Sequence, residues 1–227
     1  MKKIILGVVL LLLVTLNGAY LQAQGLSQLK LEPVSGMILL EMDDLNLSLA
    51  KAGFDFLKSP LNFAGSWSSS KFGDLPVGAS IAQGFAASEG EMRRAQLSLQ
   101  LLSVFISPSF QLSEVVPQLR GFLSPGLVFG QAQLSLTQKP IIEKDFDDLL
   151  KTPHDTNLQR TFFAALPRAG IEFRLGEAFA FRGSAGYLFS FWSTPWTHGL
   201  EALAGPPKDF KGLILEFVLE YKPSIKP

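Results

Sequence analysis

The chain contains no cysteine and only two histidines, His154 and His198. Disulfides, thiolate zinc sites, a thiol nucleophile and a lipidated N-terminal cysteine are thereby excluded, and few histidine-based mechanisms remain. A charge excess of either sign is also missing, since 20 Lys+Arg balance 20 Asp+Glu and the pI lies near 6.7. That removes the basic footprint of a nucleic-acid binder. Long apolar runs are scarce as well. Mean hydropathy is +0.25, yet only one run, at the N-terminus, approaches the length of a membrane-spanning helix. The remaining hydrophobicity is dispersed along a chain of 227 residues, enough for one domain or at most two small ones.

The N-terminal run has the layout of an export signal. Lys2 and Lys3 precede an apolar stretch, Ile4 to Leu16, of 13 residues, short for a span and suited to a signal-peptide core. Asn17 and Gly18 break it, and Ala23 offers a small residue before a first mature residue at Gln24; Ala19 is a second candidate for cleavage. Residues 1–23 are thus expected to be a signal peptide and residues 24–227 the mature domain. An exported chain without cysteine suits a bacterial envelope.

The mature chain alternates with period two, the pattern of strands with two chemically different faces. Leu213, Leu215, Phe217, Leu219 and Tyr221 share one face, with Glu216, Val218 and Glu220 on the other. Phe179, Phe181, Ala185, Tyr187, Phe189 and Phe191 oppose Arg182, Ser184, Gly186 and Ser190. Phe163, Ala165, Ala169, Ile171, Phe173 and Leu175 oppose Arg168, Gly170, Glu172 and Arg174. These runs exceed the usual five or six residues of a globular strand and reach the roughly 9 to 11 of a tilted spanning strand. The polar face carries the small residues that fit inside a tight cylinder, so the aromatic face is assigned to lipid.

Five further strands complete the set. Val116 to Leu136 and Met92 to Leu112 each show a phase reversal, at Gly130 and between Leu101 and Leu102, which suggests bulges. Leu75 to Ile81, Leu61 to Trp67 and Gly36 to Met42 are weaker. Helices are expected at Asp43–Ala52, with Asp43 as N-cap candidate and Gly53 as stop, and at Lys144–Lys151. Short turns at Gly176–Ala178 and Ser113–Val116 alternate with two long outer loops, Lys139–Arg160 and Ser193–Lys211. The fold class read from this is all-β, an up-and-down antiparallel transmembrane β-barrel of about eight strands with short helices in its outer loops.

The stretch Gly170-Ile171-Glu172-Phe173-Arg174-Leu175, followed by Phe179-Ala180-Phe181-Arg182-Gly183 and Gly186-Tyr187, resembles the penultimate hairpin of small bacterial outer-membrane β-barrel proteins. Gly212 with Phe217, Leu219 and Tyr221 is similar to their C-terminal strand signal. The resemblance implies location in the outer membrane, contact with its lipids, and delivery to the outer-membrane barrel assembly machinery. It points to no nucleic-acid partner and to a monomer.

The candidate chemistry divides into two places. Arg120, Arg168, Glu172, Arg174, Arg182, Glu216 and Glu220 fall on inward positions and form a lumen charge network; a three-residue turn sets Glu172 opposite Arg182 inside and Phe173 opposite Phe181 outside. The bland account is a salt-bridged plug, the sharper one a selectivity lining. His154, His198 and Trp196 are the outer-loop binding candidates, and Trp67, Trp192 and Trp196 are candidates for an interfacial belt, with Trp196, between Pro195 and Thr197, able instead to pack under a lid. Ser193 with His198, or His154 with Asp155, would suit acyl transfer only if the fold brought base and hydroxyl together. Asp43/Asp44 and Asp147/Asp148 have the oxygen chemistry of calcium ligands, but helix termini account for them more simply. No catalytic residue, metal or cofactor is expected.

Three functions remain open: a structural or outer-loop binding role around a plugged lumen, passage or binding of small hydrophobic molecules, and a lipid-modifying enzyme, an acyl transferase or hydrolase. The pattern makes one direct prediction. The mature protein should sediment with outer membranes and dissolve only in detergent; recovery from the periplasm as a soluble monodisperse species would reverse the face assignment and point to a lipocalin-like barrel.

Overall fold

The computed structural model describes residues 31–72, 75–88, 90, 93–138, 155–176 and 179–221. The signal segment, the Lys144–Lys151 helix, His154 and the Asp147/Asp148 pair lie outside them. The strands in chain order are β1 (Glu32–Leu40), β2 (Leu61–Phe72), β3 (Leu75–Ala87), β4 (Arg93–Ile106), β5 (Ser109–Gln111), β6 (Leu119–Gln138), β7 (Asp155–Leu175), β8 (Phe179–Ser193), β9 (Trp196–His198), β10 (Glu201–Leu203) and β11 (Lys211–Tyr221), with one helix, α1 (Asp43–Lys51), between β1 and β2. Eight long antiparallel staves, β1, β2, β3, β4, β6, β7, β8 and β11, pair in a ring that β6–β7 pairing closes. The chain is an all-β, up-and-down, closed barrel, as the alternation requires.

The register fixes its dimensions. Starting from Ser35, the pairs through Phe217, Gly183 and Ile171 arrive at Gly121. The pairs the other way, through Ala64, Gln83 and Gln100, arrive at Gln131, ten residues further along β6. With strands about 4.8 Å apart and about 3.3 Å per residue, that stagger gives a tilt of about 40° and a radius of about 8 Å. Such a cylinder is filled by its own side chains.

Two expected bulges are absent. The β4–β6 ladder runs without a break from Arg93↔Gln138 to Phe105↔Gly126, and the β6–β7 ladder from Leu119↔Phe173 to Thr137↔Asp155. What reverses at Gly130 and at Leu101/Leu102 is the chemistry of the two faces, while the parity holds. Below this level β6 turns Leu123, Leu127 and Phe129 outward and Ser124 inward; above it, Gln131, Gln133 and Ser135 face out and Ala132 and Leu134 face in. On β4 the same exchange separates outward Leu102 and Val104 from outward Gln96, Ser98 and Gln100, with Leu97 and Leu99 buried behind them. β7 repeats it, with Asn157 and Gln159 outside and Phe162 inside. The observed irregularity lies instead between Phe163 and Ala164, where Phe191 of β8 is bulged, so that Trp192 pairs with Phe163 and Ser193 with Phe162.

On β4, β6 and β7 the barrel therefore has an apolar outer band around a polar lower lumen, and a polar outer surface around an apolar upper core; β2, with Asn62, Ala64, Ser66 and Ser68 outward, does not share the band. Ile38, Leu61, Leu97, Leu99, Phe162, Leu188 and Phe210 are fully buried there. α1 closes this core from above with Leu45 and Leu49. Its N-cap is Met42, itself buried, rather than Asp43, and no side chain caps it. Asp43 and Asp44 occupy the first turn and Lys51 the last, where each favours the helix dipole, and Gly53 ends it at φ 80°.

The remaining departures concern connections. β4 breaks at Ser107 and Pro108 and resumes as β5 along β6; the expected turn follows, with the Ser113 hydroxyl accepting from Val115 and Val116 N–H. Asp155–Arg160 belongs to β7 rather than to a loop. The Ser193–Lys211 segment carries the β9–β10 hairpin, attached to β7 at Gln159↔Thr197. β2 also turns the opposite way from the belt assignment: Trp67 is buried in the lumen, 5% exposed, while Asn62, Ala64, Ser66 and Ser68 face outward.

Glycine makes the unbroken register possible at Gly130, whose missing Cβ leaves the space taken by the Phe162 ring. Gly130→Leu should therefore lower stability by about 1–3 kcal/mol through overpacking, read as a lower unfolding midpoint in detergent. Gln131→Leu, one residue on and facing out, should leave that midpoint nearly unchanged; equal effects would mean that the parity assigned to β6 is wrong.

Candidate functional site

The lower lumen is built by inward positions of β6, β7, β8 and β11. Arg168 is buried; its Nη1 donates to Glu216 Oε2 at 2.8 Å, an oxygen that also accepts from Ser184 Oγ at 3.2 Å. The guanidinium lies over the Phe105 ring, 4.3 Å from its centroid. Glu172 takes two cations, Arg174 at 2.8 Å and Arg182 at 3.8 Å. Glu172↔Arg182 and Phe173↔Phe181 are register partners, with the first pair inside and the second outside, as the three-residue turn demands. Arg182 also donates to Ser107 Oγ at 2.9 Å and sits between Trp67 and Phe122, 4.6 and 4.3 Å from the ring centroids.

Ion pairs divide five of the seven sequence candidates between two groups, and Arg182 of one lies within electrostatic reach of Arg168 in the other. Arg168–Glu216 is one group and Glu172 with Arg174 and Arg182 another. Glu220 is buried within electrostatic reach of Arg182. Arg174 stands at the barrel end with its side chain 42% exposed. Arg120 is opposite Glu172 in the ladder but makes no ion pair among the described residues. Sequence reasoning missed the inward Glu32, Trp67, Phe105 and Phe122. No signal in the sequence marked Trp67, because the small polar parity of β2, Asn62, Ala64, Ser66 and Ser68, reads as the lumen side and is in fact the outward one.

This arrangement suits a plug. Buried guanidinium groups cost much less when they are both paired and stacked on aromatic faces, and arginine offers a flat surface for that contact. Two guanidinium groups and three rings occupy the cross-section.

The outer end is built around Arg160, on β7 above the apolar band. Its guanidinium donates to Pro207 O, to Ser193 Oγ at 2.6 Å and to Lys208 O at 3.1 Å. It lies 5.8 Å from the ring centroids of both Trp196 and Phe210. Burial pulls this group below its ordinary pKa, opposed by the Asp209 carboxylate. Trp196, 2% exposed, donates to Pro206 O at 2.9 Å and packs edge-on to Phe210. It packs beneath the loop and is not an outward belt residue. An open cleft of about 620 Å³ remains between α1 and this loop, with Asp44, Arg160 and Lys208 on its walls.

His198 is exposed and its Nδ1 lies 3.1 Å from Asn157 O. Ser193 is committed to Arg160 and Lys208 O. Among the described residues no serine hydroxyl lies within hydrogen-bond distance of His198, so the acyl-transfer arrangement is not assembled there. No group that would hold a metal occurs among the described residues.

No family model matches the chain, and no curated protein matches it. Among solved structures it is similar to the N-terminal β-barrel domain of Pseudomonas aeruginosa OprF, at 11% identity and a TM-score of 0.34 over 83% of this chain and 96% of that one. It is also similar to a major outer membrane protein from Thermus thermophilus, at 10% identity and a TM-score of 0.39 over 84% of this chain and 99% of that one.

The lumen geometry makes a coupled prediction. Arg168→Met strands Glu216 in a mostly buried position and should cost about 3–5 kcal/mol. Arg168→Met with Glu216→Leu should recover most of it. Additive losses, measured by thermal unfolding in detergent, would show that the pair does not interact as placed.

Proposed function

We propose that this chain is a bacterial outer-membrane barrel with a plugged lumen, which acts as a structural envelope protein and binds through its outer end. The exchange of face chemistry along unbroken staves carries the reading. A strand whose outward residues pass from Leu127 and Phe129 to Gln131 and Gln133 without a change of register passes from one solvent to another. Outward Phe163 and Phe173 on β7, and Phe179 and Phe189 on β8, are aromatic positions of the apolar band ten residues apart. At a tilt of about 40° this is roughly 25 Å of height, the apolar thickness of such a barrel.

Orientation follows from the connections. Glu32, Tyr221 and the short turns after Phe72 and Leu175 share one end, which faces the periplasm; α1 and the β9–β10 hairpin share the other. Outer-membrane lipids surround the band, the assembly machinery inserts it, and the barrel is a monomer. Passage of hydrophobic molecules is disfavoured because the apolar upper core is packed with fully buried side chains under α1. Among the described residues no serine hydroxyl stands beside His198, which gives acyl transfer no support there.

The absence of cysteine provides a clean test. Single cysteines at Gln133 and at Leu127, both outward on β6, should behave oppositely in intact cells: Gln133→Cys should react with a membrane-impermeant maleimide and Leu127→Cys should be protected until the membrane is dissolved. Equal labelling of both would refute the band, and labelling of Gln133→Cys only after lysis would refute the orientation.

A further inference from the structure

We infer that the outward face of β4, β6 and β7 above the apolar band binds a glycolipid with an uncharged sugar head, an inference that rests on the outer-membrane reading above. The registers stack its residues in three rows. Gln100, Gln131 and Thr161 form the lowest, Ser98, Gln133 and Gln159 the next, and Gln96, Ser135 and Asn157 the highest. All nine are half-buried or exposed on the outside of the barrel, and none carries a charge. An ordinary soluble surface is about 25–35% charged, so two or three charges are expected here. They appear only in the row above, at Arg94 and Asp155.

These side chains are largely unengaged. Ser135 Oγ donates to Asn157 Oδ1 at 2.7 Å and Thr161 meets Thr194. Among the described residues the five glutamine amides hydrogen-bond no other side chain or backbone group. A grid of free amides and hydroxyls without formal charge complements a neutral partner rich in hydroxyl groups, and it would desolvate poorly against a phosphate or a charged protein.

The row directly beneath specifies the rest of the ligand. Leu102, Phe129, Phe163 and Trp192 are register partners, and the three rings touch in sequence, with centroids 5.3 Å apart for Phe129–Phe163 and 5.5 Å for Phe163–Trp192. Aromatic faces at the headgroup level, continuous with amides above and with Leu127 and Ala165 below, match a molecule that has acyl chains at one end and a sugar at the other. The attachment to lipid is argued from this continuity, because one unbroken sheet face carries both surfaces.

The test uses the whole barrel in nanodiscs of phosphatidylcholine with a minor share of digalactosyldiacylglycerol, with retained lipids identified by native mass spectrometry. The galactolipid should be enriched on the protein over phosphatidylcholine. Gln131→Glu, Gln133→Glu and Gln159→Glu together should reduce its retention about tenfold, the equivalent of one or two hydrogen bonds. These positions face outward, and heat-modifiable migration checks that the variant is folded; if it is not, the single substitutions replace it, each expected to give a partial loss. Equal retention of both lipids, or retention unchanged in the folded variants, would overturn the inference. So would full competition by free maltoheptaose, which would make the ligand a soluble glycan, or a wild-type dimer that the substitutions dissolve, which would make the occupant a second copy. Failure to enter nanodiscs at all would instead remove the outer-membrane reading on which the inference stands.

Discussion

The structure depends on one constraint: every stave must keep its hydrogen bonds on both edges around a closed ring. In an environment without water an unpaired backbone group costs several kcal/mol, and a ring has no edge to leave open. Once closure and a stagger of ten residues are fixed, no stave can slip by one residue without turning its whole side-chain set around. The chain meets two environments along one barrel by changing its residues instead. On β4, β6 and β7, large apolar groups point out below the Gln100–Gln131–Thr161 row; above it they point in and join the core under α1.

The two halves are consequently stabilised by different physics. The upper half is an ordinary hydrophobic core, each buried leucine contributing about 1.5–3 kcal/mol, and it needs the helix as a lid because the cylinder is open at that end. On the proposed outer-membrane reading the lower half has lipid outside and must fill a narrow interior with groups that do not compete for the outer face. It does so with guanidinium groups stacked on Phe105, Trp67 and Phe122 and neutralised by Glu216 and Glu172. Bulk and charge there occupy the same place, which is what supports the proposal of a plug over a charge-lined passage.

Alternation made much of the fold legible. All eight staves, the Glu172–Arg182 register and the helix at Asp43 follow from period, turn length and the Gly53 stop, although the N-cap is Met42 rather than Asp43. What was not legible has a physical origin in each case. The reversals at Gly130 and Leu101/Leu102 look like bulges because a one-residue slip and a change of solvent leave the same trace in a hydropathy pattern. Only the partner strand distinguishes them, and Leu101↔Gly130↔Phe162 is an unbroken row. The bulge at Phe191 was hidden because Phe191 and Trp192 are both large and apolar, so a slip between them alters no pattern. Trp67 was read as interfacial by residue type, whereas packing against Phe105 decided its place; for Trp196, packing under the loop was one of the readings left open, and the Pro206 carbonyl selects it. Of the charged set, position along the chain revealed which residues face inward but not which carboxylate each arginine reaches, because that depends on side-chain length across a curved interior.

The most direct measurement of the central claim is a spin-label scan of β6 from Leu123 to Thr137 in lipid bilayers, one cysteine at a time, with collision rates for oxygen and for a water-soluble nickel complex. Odd-numbered positions should remain the accessible ones throughout. Oxygen should dominate up to Phe129 and the nickel complex from Gln131 onward. A switch of accessibility to even-numbered positions beyond Gly130 would show that the register slips there, and would contradict a barrel that changes its residues while keeping its parity.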